Sequence, residues 1–322
     1  MHRLVRGIAA LLLAVTMVAP LTAGAQDATP AAACAPMDHA AVEALITDFY
    51  VKFDAVDLDG TAAMVTDDLV YDSAMFGILN GPEGMKTFLQ KANDFQPGGA
   101  HTVEQIVTDG TSAYVRWQET SLNEQVVDGT PVPGTQREFT GLQYFRFTCG
   151  KISYSDTFLD QTAANGTLED SPDTHYTGET PAECVANDPA AMAEAITGMW
   201  DGYNAADADA YLASVAEDAV RHPSAGPVMI GKAAMMEQAA ATFAAMGGGK
   251  VAFEDLLVDG DFAAIRWTET ANPTGEVFGA EADGDAISYK GMSMYQFQCG
   301  QIVEMWSEAN IFGARQQIEE GS

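Results

Sequence analysis

Residues 114–120 read YVRWQET, and residues 264–270 read AIRWTET. Side chains alternate along both, as on a strand with one face buried. The offset is 150 positions, and it brings much of the chain into register without a gap. Asp38 meets Asp188, Tyr50 meets Trp200, Phe53 meets Tyr203 and Gly81 meets Gly231. Asp109-Gly110 meets Asp259-Gly260, Gly141 meets Gly291, and Cys149-Gly150 meets Cys299-Gly300. One period is the size of a whole domain, so this is a tandem duplication and not a solenoid.

Each copy predicts the same elements. Asp38 caps a helix whose apolar positions Val42, Leu45, Ile46, Phe49, Tyr50 and Phe53 share one face. Asp188-Pro189 starts the matching helix, with proline at its first position. Asp57 and Asp59, and Asp207 and Asp209, read as caps of a short second helix. A third helix follows Gly81 or Gly231. Four strands close the first copy near 101–108, 112–121, 137–148 and 151–160, with Asp109-Gly110 and Cys149-Gly150 as tight turns. Helices first and antiparallel strands after give an α+β class, a curved, mostly antiparallel sheet wrapped around a long N-terminal helix, twice over. The expected boundaries are a signal peptide at 1–25, a linker at 26–35, domains at 36–160 and 184–316, and a Thr-, Gly- and acid-rich linker at 161–183 between them.

The first 25 residues carry Arg3 and Arg6, an apolar run, and Ala23-Gly24-Ala25. This is an export signal with a small-x-small cleavage site, and it predicts a secreted or extracytoplasmic protein. Retention of the run as a membrane anchor is the alternative; its brevity and Pro20 argue against it. Cleavage removes two positive charges, taking the net charge from −31 to −33. Such a surface repels phosphate backbones and anionic lipid, so neither nucleic acid nor membrane insertion is expected of the mature chain.

Cys34 and Cys149 are 115 residues apart, and so are Cys184 and Cys299. An exported chain meets an oxidising compartment, and four cysteines allow three pairings. The repeat favours one bridge per copy, with lipid attachment at Cys34 as the rival.

At this point the residues resemble the SnoaL-like polyketide cyclase family, within the nuclear transport factor 2-like cone fold. The resemblance rests on the glycine opening the third helix, the Asp-Gly turn before Arg-Trp, and Gly-Lys-Ile (150–152) or Gly-Gln-Ile (300–302) opening the last strand. It implies an apolar pocket between long helix and sheet, and an acid/base aspartate on the last strand acting without cofactor or metal. Asp160 holds that position in the first copy and Asn310 in the second. The family's fourth-strand arginine matches Arg146, with Gln296 in the second copy. The family's histidine after Arg-Trp is replaced by Asn123 and Pro273.

Period two puts Tyr154, Asp156, Phe158 and Asp160 on one face of the last strand. If that face lines the pocket, Asp160 or Asp156 could take a proton beside a carbonyl, with Tyr144, Tyr154 or Arg146 steadying the oxygen. Tyr50, Phe53, Tyr154 and Phe158 are the expected ligand contacts in the first copy. Trp200, Tyr203, Trp306, Glu308 and Asn310 are those in the second. Arg116 and Arg266 read as structural, in an ion pair or cation–π contact on the outer face of the sheet. Five scattered histidines lack paired spacing, so no metal site is expected.

Three functions remain open from sequence. One is an exported protein binding a small apolar molecule in one or both pockets. Another is a cofactor-free acid/base enzyme, cyclase-like or isomerase-like, centred on Asp160. The last is a scaffold with filled pockets, its copies or two chains pairing through their sheets.

Overall fold

The computed structural model describes residues 34–127, 130–160, 174–180 and 183–321, with the side chains of 121–137 left aside. The expected signal segment, most of the 26–35 linker and most of the 161–183 linker lie outside the described residues.

In the first copy α1 (His39–Asp54) begins where the Asp38 carboxylate accepts the Ala41 N–H at 2.8 Å. Its buried residues Val42, Ile46, Phe49 and Tyr50 recur at helical spacing, which turns one apolar face inward. The short α2 (Leu58–Ala63) is capped by Asp57, whose carboxylate accepts the Gly60 N–H. Asp59 instead lies in its first turn and pairs with Lys86. Then come β1 (Val65–Ser73), β2 (Gly77–Asn80) and α3 (Gly81–Phe95). The long strands follow as β3 (Ala100–Thr108), β4 (Ser112–Val127), β5 (Thr130–Thr148) and β6 (Lys151–Leu159).

The second copy repeats this order. Asp188 caps α4 (Pro189–Ala205), and Asp207 caps α5 (Ala208–Tyr211). β7 (Val215–His222), β8 (Met229–Ile230) and α6 (Lys232–Ala245) precede β9 (Lys250–Asp259) and β10 (Phe262–Ala271). A small hairpin, β11 (Thr274–Val277) with β12 (Ala280–Asp283), comes before β13 (Ile287–Gln298) and β14 (Gln301–Ala309). A C-terminal α7 (Ile311–Gly321) adds Ala314 and Ile318 to the second core.

Each copy builds a six-stranded sheet, in the orders β2-β1-β6-β5-β4-β3 and β8-β7-β14-β13-β10-β9. Pairing is antiparallel except for β1 with β6 and β7 with β14. The α+β class and the mostly antiparallel sheets match the sequence reading.

The Arg-Trp strand now has a purpose for each side chain. Trp117 turns inward and lies against Gly141 on the adjacent strand, where a Cβ would sit 2.1 Å from the indole. Trp267 lies on Gly291 in the same way, at 2.2 Å. Both glycines therefore make room for a ring. Arg116 and Arg266 turn to the opposite face. Arg116 pairs with Glu104 at 2.6 Å and stacks 4.5 Å over Trp306 of the other copy. Arg266 pairs with Asp255 and Glu254 and stacks 4.1 Å over Tyr144 of the other copy.

That outer face is thus covered too. Val107, Tyr114, Leu142, Tyr144 and Phe158 of the first sheet share one buried cluster with Ala264, Met292, Met294 and Trp306 of the second. Polar contacts rim it: Lys290 to Asp72 at 3.1 Å, His39 to Asp259 at 3.2 Å, and Thr140 Oγ1 donating to Glu308 at 3.1 Å.

Cys184 and Cys299 form a disulfide, Cys34 and Cys149 are also disulfide-bonded, and no described cysteine is free. No helix among the described residues is long and apolar enough to cross a membrane.

Candidate functional site

The first copy encloses a cavity between α1, α3 and the inner face of its sheet. Phe49, Tyr50, Phe53, Phe76, Phe88 and Trp117 give it an aromatic lining. The centre of a water-sized sphere has about 60 Å³ to move in. One water needs roughly 10–15 Å³ by that measure, so the cone is not filled by its own side chains.

Three ionisable side chains meet in this lining. Asp54 ends α1, four residues after Tyr50, and His101 and Glu119 are cross-strand partners on β3 and β4. One Asp54 oxygen accepts the His101 backbone N–H at 2.8 Å, and the other lies 2.7 Å from the ring Nδ1. An ionised Asp54 makes Nδ1 the protonated nitrogen and turns Nε2 toward Glu119, 3.3 Å away. The ring is fixed by stacking on Tyr50 at 4.9 Å and by edge contacts with Phe53 and Trp117. Glu119 is 7% exposed. Burial, opposed by the His101 charge, pushes its carboxyl up to about 7. Gly99 permits its approach, since a Cβ there would lie 2.2 Å from a Glu119 oxygen.

Two N–H donors in the lining have no protein acceptor, Trp117 Nε1 and Gln96 Nε2. A buried donor without an acceptor is costly, so each would gain from an oxygen that reached it. Around Gln143, by contrast, the polar groups are tied to one another. Tyr50 donates to Gln143 at 2.6 Å, and the Gln143 amide donates to Tyr71 and Ser155 at 2.9 and 2.8 Å.

The sequence-predicted residues divide between the two sheet faces. Tyr50 and Phe53 line the cavity. On β6 the lining comes from Thr157 and Leu159, one position out of phase with the expected face. Tyr154, Asp156 and Phe158 point the other way, toward the second sheet. Phe158 and Tyr144 are in the shared cluster, and Tyr154 packs on it. Asp156 is buried, 3.7 Å from Arg266, and burial with the nearby Asp72 pushes its carboxyl up to about 7. Arg146 is exposed and stacks on Tyr144 and Tyr154. Asp160 is outside the cavity lining, and its charge helps to raise the buried Glu308 carboxyl, after burial itself. The expected acid/base face is therefore an inter-sheet face. In the second copy Trp200 and Tyr203 lie in the core. Trp306 and Glu308 lie between the sheets, and Asn310 accepts the Gly313 N–H at 2.9 Å as α7 begins.

The second cone keeps the buried glutamate and changes its company. Glu269 accepts Tyr203 and Tyr289 hydroxyls at 2.8 and 2.5 Å, where the first copy has Phe53 and Phe139. Val251 replaces His101, and Asn204 replaces Asp54. Asn204 still clasps the adjoining strand, donating to the Val251 carbonyl at 2.9 Å and accepting its N–H at 2.7 Å. The clasp survives without the charge.

Sequence reading missed Asp54, His101 and Glu119 as a group. Two signals were present: Asp54 follows Tyr50 by one helical turn, and Glu119 follows Trp117 by one strand period. His101 joins them only through strand pairing.

The profile of the SnoaL-like domain matches residues 46–155, and that of the SnoaL-like polyketide cyclase matches 191–318. The chain belongs to the SnoaL-like proteins and carries two such domains in tandem. Among solved structures it is similar to AclR of Streptomyces galilaeus, a candidate hydroxylase, at 20% identity, covering 41% of this chain and 87% of that one, with a TM-score of 0.37. A candidate SnoaL-like polyketide cyclase from Jannaschia is 15% identical, covering 44% and 97%, with a TM-score of 0.38. IdmH of Streptomyces antibioticus, a candidate polyketide cyclase, is 21% identical, covering 40% and 98%, with a TM-score of 0.35. A search among curated proteins returns no match.

Proposed function

We propose that the first domain binds a small, largely apolar molecule bearing a carbonyl or hydroxyl oxygen and moves a proton on it. The observation that carries this reading is the Asp54–His101–Glu119 cluster, set in an aromatic cavity beside two unpartnered N–H donors. A carboxyl near 7 is present in both protonation states at neutral pH, which suits it to accept and return a proton. His101 Nε2 shares that proton, and Asp54 holds the ring in place. Trp117 and Gln96 would meet the oxygen whose charge grows as a neighbouring carbon loses its proton. SnoaL-like family membership supports a small-molecule site of this kind. The second domain, with Glu269 caged by phenols, serves as the partner that covers the first sheet. Export to an oxidising compartment agrees with disulfide-bonded cysteines.

The test is native mass spectrometry of the mature protein from its own host, followed by incubation of any retained molecule with the protein in deuterium oxide. A retained molecule that gains deuterium at carbon, with the gain lost in His101→Val, supports proton transfer. A retained molecule without gain reduces the reading to binding alone. Retention that survives blocking of the first cavity by Ala92→Trp would remove the site from this domain.

A further inference from the structure

We propose that His175, His222 and Glu304 bind one divalent transition-metal ion of the zinc class. The three come from distant parts of the chain: the described linker stretch 174–180, the end of β7, and β14. Their ligand atoms all lie within 4.8 Å of one another. A single carboxylate oxygen, Glu304 Oε1, is 2.9 Å from His175 Nδ1 and 2.9 Å from His222 Nε2. Tetrahedral bonds of ~2.0 Å hold ligand atoms ~3.3 Å apart. An ion therefore needs each ring nitrogen to withdraw from the carboxylate oxygen by a few tenths of an ångström, and the two nitrogens, within 4.8 Å of one another, to settle at the same ~3.3 Å spacing.

The support around the ligands suits this role. Glu304 is 3% exposed, and its other oxygen accepts the Tyr176 backbone N–H at 3.2 Å. That bond orients the carboxylate and leaves Oε1 to the ion. Tyr176 packs on the second core and anchors the stretch that carries His175. The His222 ring is stacked on Trp306, 5.6 Å between centroids and 7° between planes. His175, with 39% of its side chain exposed, opens the site to solvent. Two imidazoles and one carboxylate suit zinc, cobalt, nickel or ferrous ions rather than calcium or magnesium. Three protein ligands leave a fourth position for water. The first copy lacks the set, having Asp72 and Tyr154 where the second has His222 and Glu304. The five histidines gave no spacing signal because the set spans 129 residues and closes only through the linker.

The experiment uses the untagged, chelator-stripped mature chain. Zn²⁺ is titrated by calorimetry and Co²⁺ by visible absorption. Expected are one ion per chain, cobalt bands of histidine ligation, and no competition from millimolar Ca²⁺ or Mg²⁺. His222→Ala and His175→Ala should each weaken binding at least ~10-fold, the loss known for supporting residues alone. His101→Val should leave it unchanged. His175 lies outside every strand and helix, so its variant keeps the fold and decides the matter if His222→Ala does not. Failure to bind one equivalent, or binding untouched by His175→Ala, overturns the proposal and leaves the cluster as a clasp between linker and β14.

Discussion

In the first cone a buried glutamate meets an imidazole 3.3 Å away, and in the second it meets two phenols at 2.8 and 2.5 Å. The scaffolds around them are alike. Each glutamate sits two residues beyond the same tryptophan, and each is approached across a glycine, Gly99 or Gly249. Three positions change the glutamate's immediate partners, Phe53, Phe139 and His101 in one copy and Tyr203, Tyr289 and Val251 in the other, and a fourth exchanges Asp54 for Asn204 behind them. A phenol pair satisfies a carboxyl and holds it still. An imidazole offers a second seat for the proton. On the proposed function, the comparison teaches that reactivity is set by what surrounds a shared acid and not by the acid itself.

The strongest way to break the comparison is to convert one cone into the other. Phe53→Tyr, Phe139→Tyr and His101→Val together copy the second cage into the first. The fold should persist, and proton exchange on a bound ligand should fall by at least ~100-fold, the lower range for a general acid–base group. Deuterium uptake read by mass spectrometry checks this. Unchanged uptake would detach the chemistry from His101.

Disulfide removal asks whether the copies stand alone. Cys184→Ser with Cys299→Ser should lower stability by ~2–5 kcal/mol, read by denaturant unfolding. Because the copies share one buried inter-sheet cluster, a single transition is expected. Two separated transitions would show that the cluster does not couple them.

The buried carboxyls give a pH signature, and two of them can be followed separately. Burial raises Glu119 from 4.5 to about 7 and Asp156 from 3.8 to about 7. Between those limits the folded chain holds protons that the unfolded chain has released. Their stabilising contribution is thus complete below about pH 4 and fades as pH rises through about 7. Glu119→Gln and Asp156→Asn should each flatten the fall in stability over that window, by at most ~3 and ~4 kcal/mol respectively. A slope unchanged in both variants would mean that neither carboxyl is raised. The two variants also separate the faces, since only the first touches the cavity.

The smallest effect concerns what the copies have in common. Gly141→Ala and Gly291→Ala each push a methyl into a tryptophan ring. Both should destabilise by ~1–3 kcal/mol, Gly291→Ala by the larger amount because its methyl would also lie 2.7 Å from the Glu308 carbonyl oxygen, read by thermal unfolding. A larger loss for Gly141→Ala would show that the Trp267 ring is the freer of the two to shift.

The fold was legible because duplication repeats every cap, turn and apolar face at one offset. Asp38, Asp57, Asp188 and Asp207 all cap the helices they were expected to cap. The site was not legible, and β6 shows why. Alternation identifies the inner face of a sheet only when the outer face is wet. Here the second sheet covers the first, so Phe158 and Leu159, neighbours on opposite faces, are both buried. Period two separates Asp156 from Thr157 correctly but cannot say which of them meets the cavity. The arginines were easier to read, because a charge beside a tryptophan must find partners on its own face, and both did.

The crossed stacking of the arginines has one more consequence. Arg116 lies over Trp306, whereas Arg266, its counterpart, faces Asp156 at the matching place. Two identical chains meeting about a two-fold axis must present every substitution twice, so a change that suits one side of the contact is imposed on the other. Joining the halves in a single polypeptide lifts that constraint. An indole can occupy one side and a carboxylate the other, each tuned to its own neighbours, and the two ends of the contact become separate heritable traits.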